Sequence, residues 1–144
     1  MQSMEALVNA LGGRKVLKRR IATLGDLRQT VQDGLPYASF EILSARLGLE
    51  RDEAAHALRL PHRTIARRKK QRRLHADESD RVLRLARIST QAAATLGSET
   101  KAAEWLRRPN RALGNIPPLE LIDTDLGIQQ IEEILGRIEH GIVS

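Results

Sequence analysis

The chain has 144 residues, enough to bury a real core as one domain or two small ones. It has no cysteine, which excludes disulfides, thiolate metal sites and cysteine nucleophiles, and its formal net charge is +6. Only Tyr37, Phe40 and Trp105 are aromatic against 21 leucines, so the core has to be aliphatic. The charge is unevenly spread: residues 1–100 carry 19 Lys/Arg against 11 Asp/Glu, whereas 101–144 carry five against seven. From Pro117 onward there are six acids and one arginine. A basic front and an acidic back predict two jobs at two ends, with a polyanion as the partner of the basic one. A merely soluble basic surface is the other reading of that charge. No apolar run approaches the ~20 residues of a membrane span, and no signal-peptide core opens the chain. A soluble, cytoplasmic protein with no membrane partner is expected.

Met4, Leu7, Val8 and Leu11 recur at helical spacing behind a capping Ser3, and Gly12-Gly13 ends that helix. Residues 14–20 predict a short basic helix. Thr23 with Asp26 three residues on has the form of a capping box. It opens a helix over 24–33 that Gly34 closes. Pro36 suits a first helical position, and Tyr37, Phe40, Leu43 and Leu47 make one stripe before Gly48. No strand-like alternation with β-branched residues occurs anywhere, so an all-α fold is predicted.

Ala54, Ala55, Leu58, Leu60 and Ile65 have the spacing of a helix-turn-helix over about 51–71. Ala55 lets the two helices cross closely, while Leu58, Leu60 and Ile65 fill the wedge between them. The second helix is predicted over about 62–70, its N-terminal residues at base edges and the first helix crossing the phosphates. His62, Arg63, Ala66 and Arg67 then face the groove, with Thr64 beside them, and Arg63 or Arg67 can hold guanine in bidentate fashion. Between Arg67 and Arg73 six of seven residues are cationic. Arg68, Lys69 and Lys70 are expected on phosphates, where counterion release relieves their mutual repulsion. Arg59 stands where such a turn wants glycine for a positive φ. Pro61 compensates in part by fixing the start of the second helix. Two other readings stay open: a helical hairpin in the core with a solvated basic face, and a module that serves mainly for dimerisation.

Residues 77–96 read as one long helix with Val82, Leu85, Ala86, Ile88 and Leu96 toward one face. Asp77, Glu78 and Asp80 occupy its favourable first turn. Arg81, Arg84 and Arg87 are expected as a solvated stripe. Gly97 ends the helix and Ser98 caps the next, which sets a boundary between 1–97 and 98–144. A helix over 99–107 turns Ala102, Ala103 and Trp105-Leu106 inward, Trp105 as a packing anchor. Pro109 ends it. Residues 110–116 form a structured loop, Pro118 starts a short helical turn, and Thr124 caps the last helix, with Ile128, Ile131, Leu135 and Ile138 buried. Gly127 and Gly136 each cost that helix about 1 kcal/mol relative to alanine, which suggests close approach by another helix or a partner chain.

The ordered series Trp105-Leu106, Pro109-Asn110, Leu113-Gly114, Pro118, Leu121, Thr124, Gly127, Ile131, Leu135, Ile138 and Gly141 resembles the C-terminal domain of Xre/ParS/MbcA-type antitoxins, which neutralise RES-domain toxins. Asn115 departs from that pattern where a second glycine is usual, and Pro117 where a threonine is. With the helix-turn-helix the resemblance extends over nearly the whole chain: an Xre-like helix-turn-helix with dimerising helices in 1–97, then a small helical toxin-binding domain in 98–144. It implies a homodimer that binds operator DNA, represses its own operon, and docks its C-terminal region over the cleft of a toxin that degrades NAD or transfers ADP-ribose. The implied contact patches are Asn110, Leu113 and Gly114 in the loop, and Glu139, Gly141, Ile142, Val143 and Ser144 at the tail. Glu139 and the terminal carboxylate would pair with arginines suited to phosphate. Read without the resemblance, the loop is an internal turn capped by Asn110, and the tail a frayed terminus.

Catalysis finds no support. His56, His62, His75 and His140 lack metal-ligand spacing, and no nucleophile elbow or phosphate loop occurs. No cofactor, metal or small-molecule substrate is expected. The competing readings are a stand-alone helix-turn-helix regulator with a helical effector domain, and a helical adaptor that does not touch DNA.

Overall fold

The computed structural model describes residues 3–141. Ile142, Val143 and Ser144, expected to dock on a partner, lie outside the described residues. Among those described there are nine α-helices, two 3-10 helices and no strand. The front half contains α1 (Met4–Ala10), α2 (Gly13–Leu17), α3 (Leu24–Asp33), α4 (Tyr37–Arg46), α5 (Arg51–Ala57) and α6 (His62–Gln71). Then follow the long α7 (Ala76–Leu96) and, in the back half, α8 (Glu99–Arg107), 3-10 turns at Arg111–Leu113 and Pro118–Leu121, and α9 (Asp125–Glu139).

Local chemistry accounts for most boundaries. Ser3 accepts from the Ala6 N–H at 3.0 Å, and Ser98 from the Lys101 N–H at 3.1 Å. Thr23 and Asp26 close a full capping box, with both reciprocal bonds at 3.1 Å. The Ala22 and Thr23 N–H groups, with the Thr23 hydroxyl, outweigh a small desolvation and hold the Asp26 carboxyl below its ordinary value. Two expectations shift. The second helix stops at Leu17 rather than near residue 20, because Lys18 turns left-handed at φ 55°. Pro36 is the residue before α4 rather than its first member.

The core forms around α7. Helices α1, α3 and α4 pack on it from the front half, and α8 and α9 from the back. Val82, Ala86, Ile88 and Ala92 of α7 have no exposed surface. Phe40, Leu58, Leu106, Ile131 and Leu135 join the same apolar cluster, so both halves share one core. The start of α4 is tied to the end of α6: the Tyr37 N–H donates to the Arg72 carbonyl at 3.1 Å, and the Leu74 N–H to the Leu35 carbonyl at 2.8 Å. Gly34 makes that approach possible, since a Cβ there would lie 2.2 Å from the Leu74 oxygen. Tyr37 packs on Phe40 with ring centroids 5.6 Å apart. Its hydroxyl is buried with no partner among the described residues, and burial pushes the phenol pKa up.

Candidate nucleic-acid interface and C-terminal docking face

The helix-turn-helix is built by a Schellman turn. After α5, the Arg59 N–H donates to the His56 carbonyl at 3.0 Å and the Leu60 N–H to the Ala55 carbonyl at 2.8 Å. The motif needs a left-handed residue, and Arg59 supplies it at φ 55° where glycine is usual. Leu58, Leu60 and Ile65 are buried behind the turn as the wedge between α5 and α6. Pro61 precedes the first residue of α6.

Helix α6 then sorts its residues by face. His62, Arg63, Ala66, Arg67, Lys69 and Lys70 are exposed, and Thr64 is half-buried. Arg63, Arg67 and Lys70 recur at helical spacing along one stripe and have no acidic partner among the described residues. His62 lies 3.4 Å from Asp52 on α5. The stripe is therefore an exposed cationic edge on α6, a candidate surface for a polyanion.

Arg68 is the correction. Expected on a phosphate, it is instead 5% exposed and turned into the protein. Its Nε donates to Glu78 Oε1 at 2.7 Å, Nη1 to Gln71 at 3.2 Å, and Nη2 faces His75 Nδ1 at 3.1 Å. Burial pushes the Glu78 carboxyl up, but bonds from Arg68 and from the His75 N–H overcome that and leave it below its ordinary value. Arg68 thus fixes α6 against α7 and offers nothing to DNA. His75, Asp77 and Glu78 lie within 4.8 Å of one another. The Glu78 oxygen is already engaged by a guanidinium, so the group is a helix cap and brace rather than a cation site.

In the C-terminal half, Asn110 Oδ1 accepts from the Ala112 N–H at 3.0 Å, and the Asn110 N–H and Ile116 carbonyl close the loop at 3.2 Å. Gly114 and Asn115 are both left-handed, at φ 71° and 63°. The departure at Asn115 therefore keeps the glycine-like backbone, which asparagine tolerates better than most residues. Pro117 leaves the second 3-10 turn without a side-chain cap. Of the expected docking residues, Asn110 is half-buried, Leu113 points inward at 7% exposure, and Gly114, Glu139 and Gly141 are exposed. Ile116, 41% exposed, and Leu126, 72% exposed, are apolar surface that the sequence reading passed over. Glycine spacing divides in the same way: Gly127 is pressed against Leu121, whereas nothing approaches Gly136.

The arginines of α7 are half-buried and paired rather than a solvated stripe. Arg81 reaches Asp77 at 3.6 Å, Arg84 reaches Asp80 at 3.0 Å, and Arg87 reaches Glu132 of α9 at 3.6 Å. Arg81 Nη1 also donates to the Leu58 and Arg59 carbonyls, each at 3.3 Å. The reading also missed a second link between the halves. Arg59 Nε donates to Asp123 at 3.4 Å, and Glu120 sits 3.3 Å from His56. No sequence signal joins residues this far apart. The one local hint was a long cation where a turn favours glycine.

Residues 26–87 match the family model of the antitoxin Xre-like helix-turn-helix domain. Residues 91–141 match that of the antitoxin Xre/MbcA/ParS C-terminal toxin-binding domain. Three curated relatives are similar to the chain, each named antitoxin Xre. The one from Photorhabdus laumondii is 44% identical over 70 residues, covering 48% of this chain and 47% of its own length. That from Pseudomonas putida is 35% identical over 94 residues, 65% of this chain and 56% of the relative. That from Yersinia enterocolitica is 32% identical over 94 residues, 64% of each. The matched stretches thus span from about half to just under two thirds of those relatives.

Proposed function

We propose that this chain, which carries an Xre-like helix-turn-helix domain followed by an Xre/MbcA/ParS toxin-binding domain, is an antitoxin that neutralises a cognate RES-domain toxin and represses its own operon. The order of the two matched domains along one chain is the observation that carries it. The C-terminal domain (98–144) docks over the active-site cleft of a toxin that consumes NAD or transfers ADP-ribose. Asn110, Gly114, Glu139 and Gly141 offer exposed or half-exposed contacts to it. Leu113 contributes by shaping the loop from beneath, and Ile142, Val143 and Ser144 complete the docking segment. The protein itself is not an enzyme and acts in the cytoplasm. Among the described residues no helix is long and apolar enough to cross a membrane. Homodimerisation through the front half belongs to the same reading. An apolar groove of about 570 Å³ between α1, α3 and α7, with Leu24 75% exposed at its edge, is surface suited to it.

Co-expression with a RES-domain toxin and co-purification tests the first half. The expected result is a stable complex in which NAD consumption by the toxin stops. Deleting residues 142–144 should restore toxin activity, and full inhibition by the truncated chain sinks the docking mechanism. DNA binding without any toxin inhibition would leave a stand-alone regulator.

For the DNA half, His62, Arg63, Thr64 and Arg67 meet base edges and Lys69 and Lys70 meet phosphates. Arg63→Ala is expected to weaken specific operator binding by ~1–3 kcal/mol. Neutralising Lys69 and Lys70 should weaken binding to all sequences alike and flatten the salt dependence by about 0.9 per lost phosphate contact. Wild-type behaviour of both variants in a salt titration would place the DNA contact elsewhere.

A further inference from the structure

We infer that Glu120 and Asp123 act as an internal phosphate surrogate, holding Arg59 at the mouth of the recognition helix so that the C-terminal domain and a DNA backbone compete for one guanidinium. The inference rests on the DNA-binding reading above. Its geometry is a small charge cluster across the two halves. Arg59 Nε lies 3.4 Å from Asp123 Oδ2, and Arg59 Nη2 lies 3.8 Å from Glu120 Oε2. The same Glu120 oxygen is 3.3 Å from His56 Nε2, which is itself 3.4 Å from Arg59 Nη1.

Stability does not account for an arginine here. A left-handed residue with a Cβ is strained where glycine is not. Ion pairs as exposed as these, with side chains 33–45% accessible, are weak and do no more than offset that strain. Glycine would therefore serve the turn at least as well. What arginine provides and glycine cannot is a cation three residues before His62, next to the helix end that approaches DNA in the reading above. Arg81 pins the turn by its Leu58 and Arg59 carbonyls. The backbone is thereby fixed, and the Arg59 side chain is the part left able to exchange partners. In the closed cluster two carboxylates occupy that cation and add repulsion toward incoming phosphate.

The test is a salt titration of the full chain on a mixed-sequence DNA duplex, comparing wild type with the double variant Glu120→Gln/Asp123→Asn. Glu104→Gln/Glu133→Gln, two exposed acids elsewhere in the same domain, matches the change of two in net charge, and thermal melting checks that each variant folds. The double variant should bind several-fold tighter, with a log K against log salt slope steeper by about 0.9, the counterion equivalent of one added phosphate contact. Adding Arg59→Gln to the double variant should abolish the steepening. A Glu120→Gln/Asp123→Asn variant with wild-type affinity and slope, or a Glu104→Gln/Glu133→Gln variant with the same gain, overturns the inference while leaving the DNA-binding reading intact. A wild-type chain with no salt-dependent affinity for the duplex overturns both.

Discussion

Arg68→Ala is expected to destabilise the fold by about 3–5 kcal/mol, because it strands a buried carboxylate. The two side chains of the Arg68–Glu78 pair are only 7% and 6% exposed and meet at 2.7 Å. Removing the guanidinium leaves Glu78 with one main-chain donor, the His75 N–H, in a site that water hardly reaches. Urea or thermal unfolding measures the loss, and a cost below about 1 kcal/mol, typical of surface pairs, would contradict the burial. Replacing both partners, as Arg68→Met with Glu78→Leu, should recover most of the stability, since an apolar pair of similar volume avoids the desolvation of two charges. The pH dependence has a definite sign. Glu78 is held below its ordinary value of 4.5, so its contribution is complete above that pH and is lost as pH falls through the lower folded value. The double replacement should lose this part of the acid sensitivity.

Gly127→Ala is the second large effect, and its sign opposes helix propensity. Alanine in mid-helix normally gains about 1 kcal/mol over glycine. At Gly127, however, an added Cβ would lie 1.8 Å from the Leu121 carbonyl oxygen and 2.8 Å from its carbon. A backbone carbonyl cannot rotate aside as a side chain does. The 3-10 turn at Pro118–Leu121 must therefore move off α9, at a net cost in the range of about 1–3 kcal/mol typical of overpacking. Gly136→Ala in the same helix meets nothing within 4 Å and should stabilise the isolated chain by up to ~1 kcal/mol. Matched thermal melts of the two variants decide the point; equal shifts of the same sign would refute it.

These two glycines show where sequence reading reaches and where it stops. Both carried the same signal, a helix weakened for a reason that lay outside the helix. Only the packed chain tells which one a neighbour presses on. Caps were legible because they are local: Ser3, Thr23 with Asp26, Ser98 and Thr124 each bond a backbone group three residues away. The helix-turn-helix wedge was legible because Leu58, Leu60 and Ile65 keep a spacing that the turn imposes. Arg59 was legible as a conformational oddity, yet its partners were not, since Glu120 and Asp123 are brought near only by the packing of α8 and α9 on α7. Arg68 failed for a related reason. In a run of six cations every member looks solvated, and what singles one out is a carboxylate ten residues on, carried round by the start of the next helix. In the loop expected to dock, the turn capped by Asn110 was foreseen, whereas the exposed Ile116 and Leu126 were not.

Helix α7 belongs to neither half. It takes α1, α3 and α4 on behalf of one end and α8 and α9 on behalf of the other, and the two matched stretches meet inside it, between residues 87 and 91. Such a beam makes the ends share one fate. A protease that clips the chain beyond Gly97 bares the side of the beam on which α8 and α9 lay, and the helix-turn-helix end loses that indirect support together with the direct ion pairs of Arg59 with Asp123 and of Glu53 with Arg107. Damage at one end is therefore felt at the other.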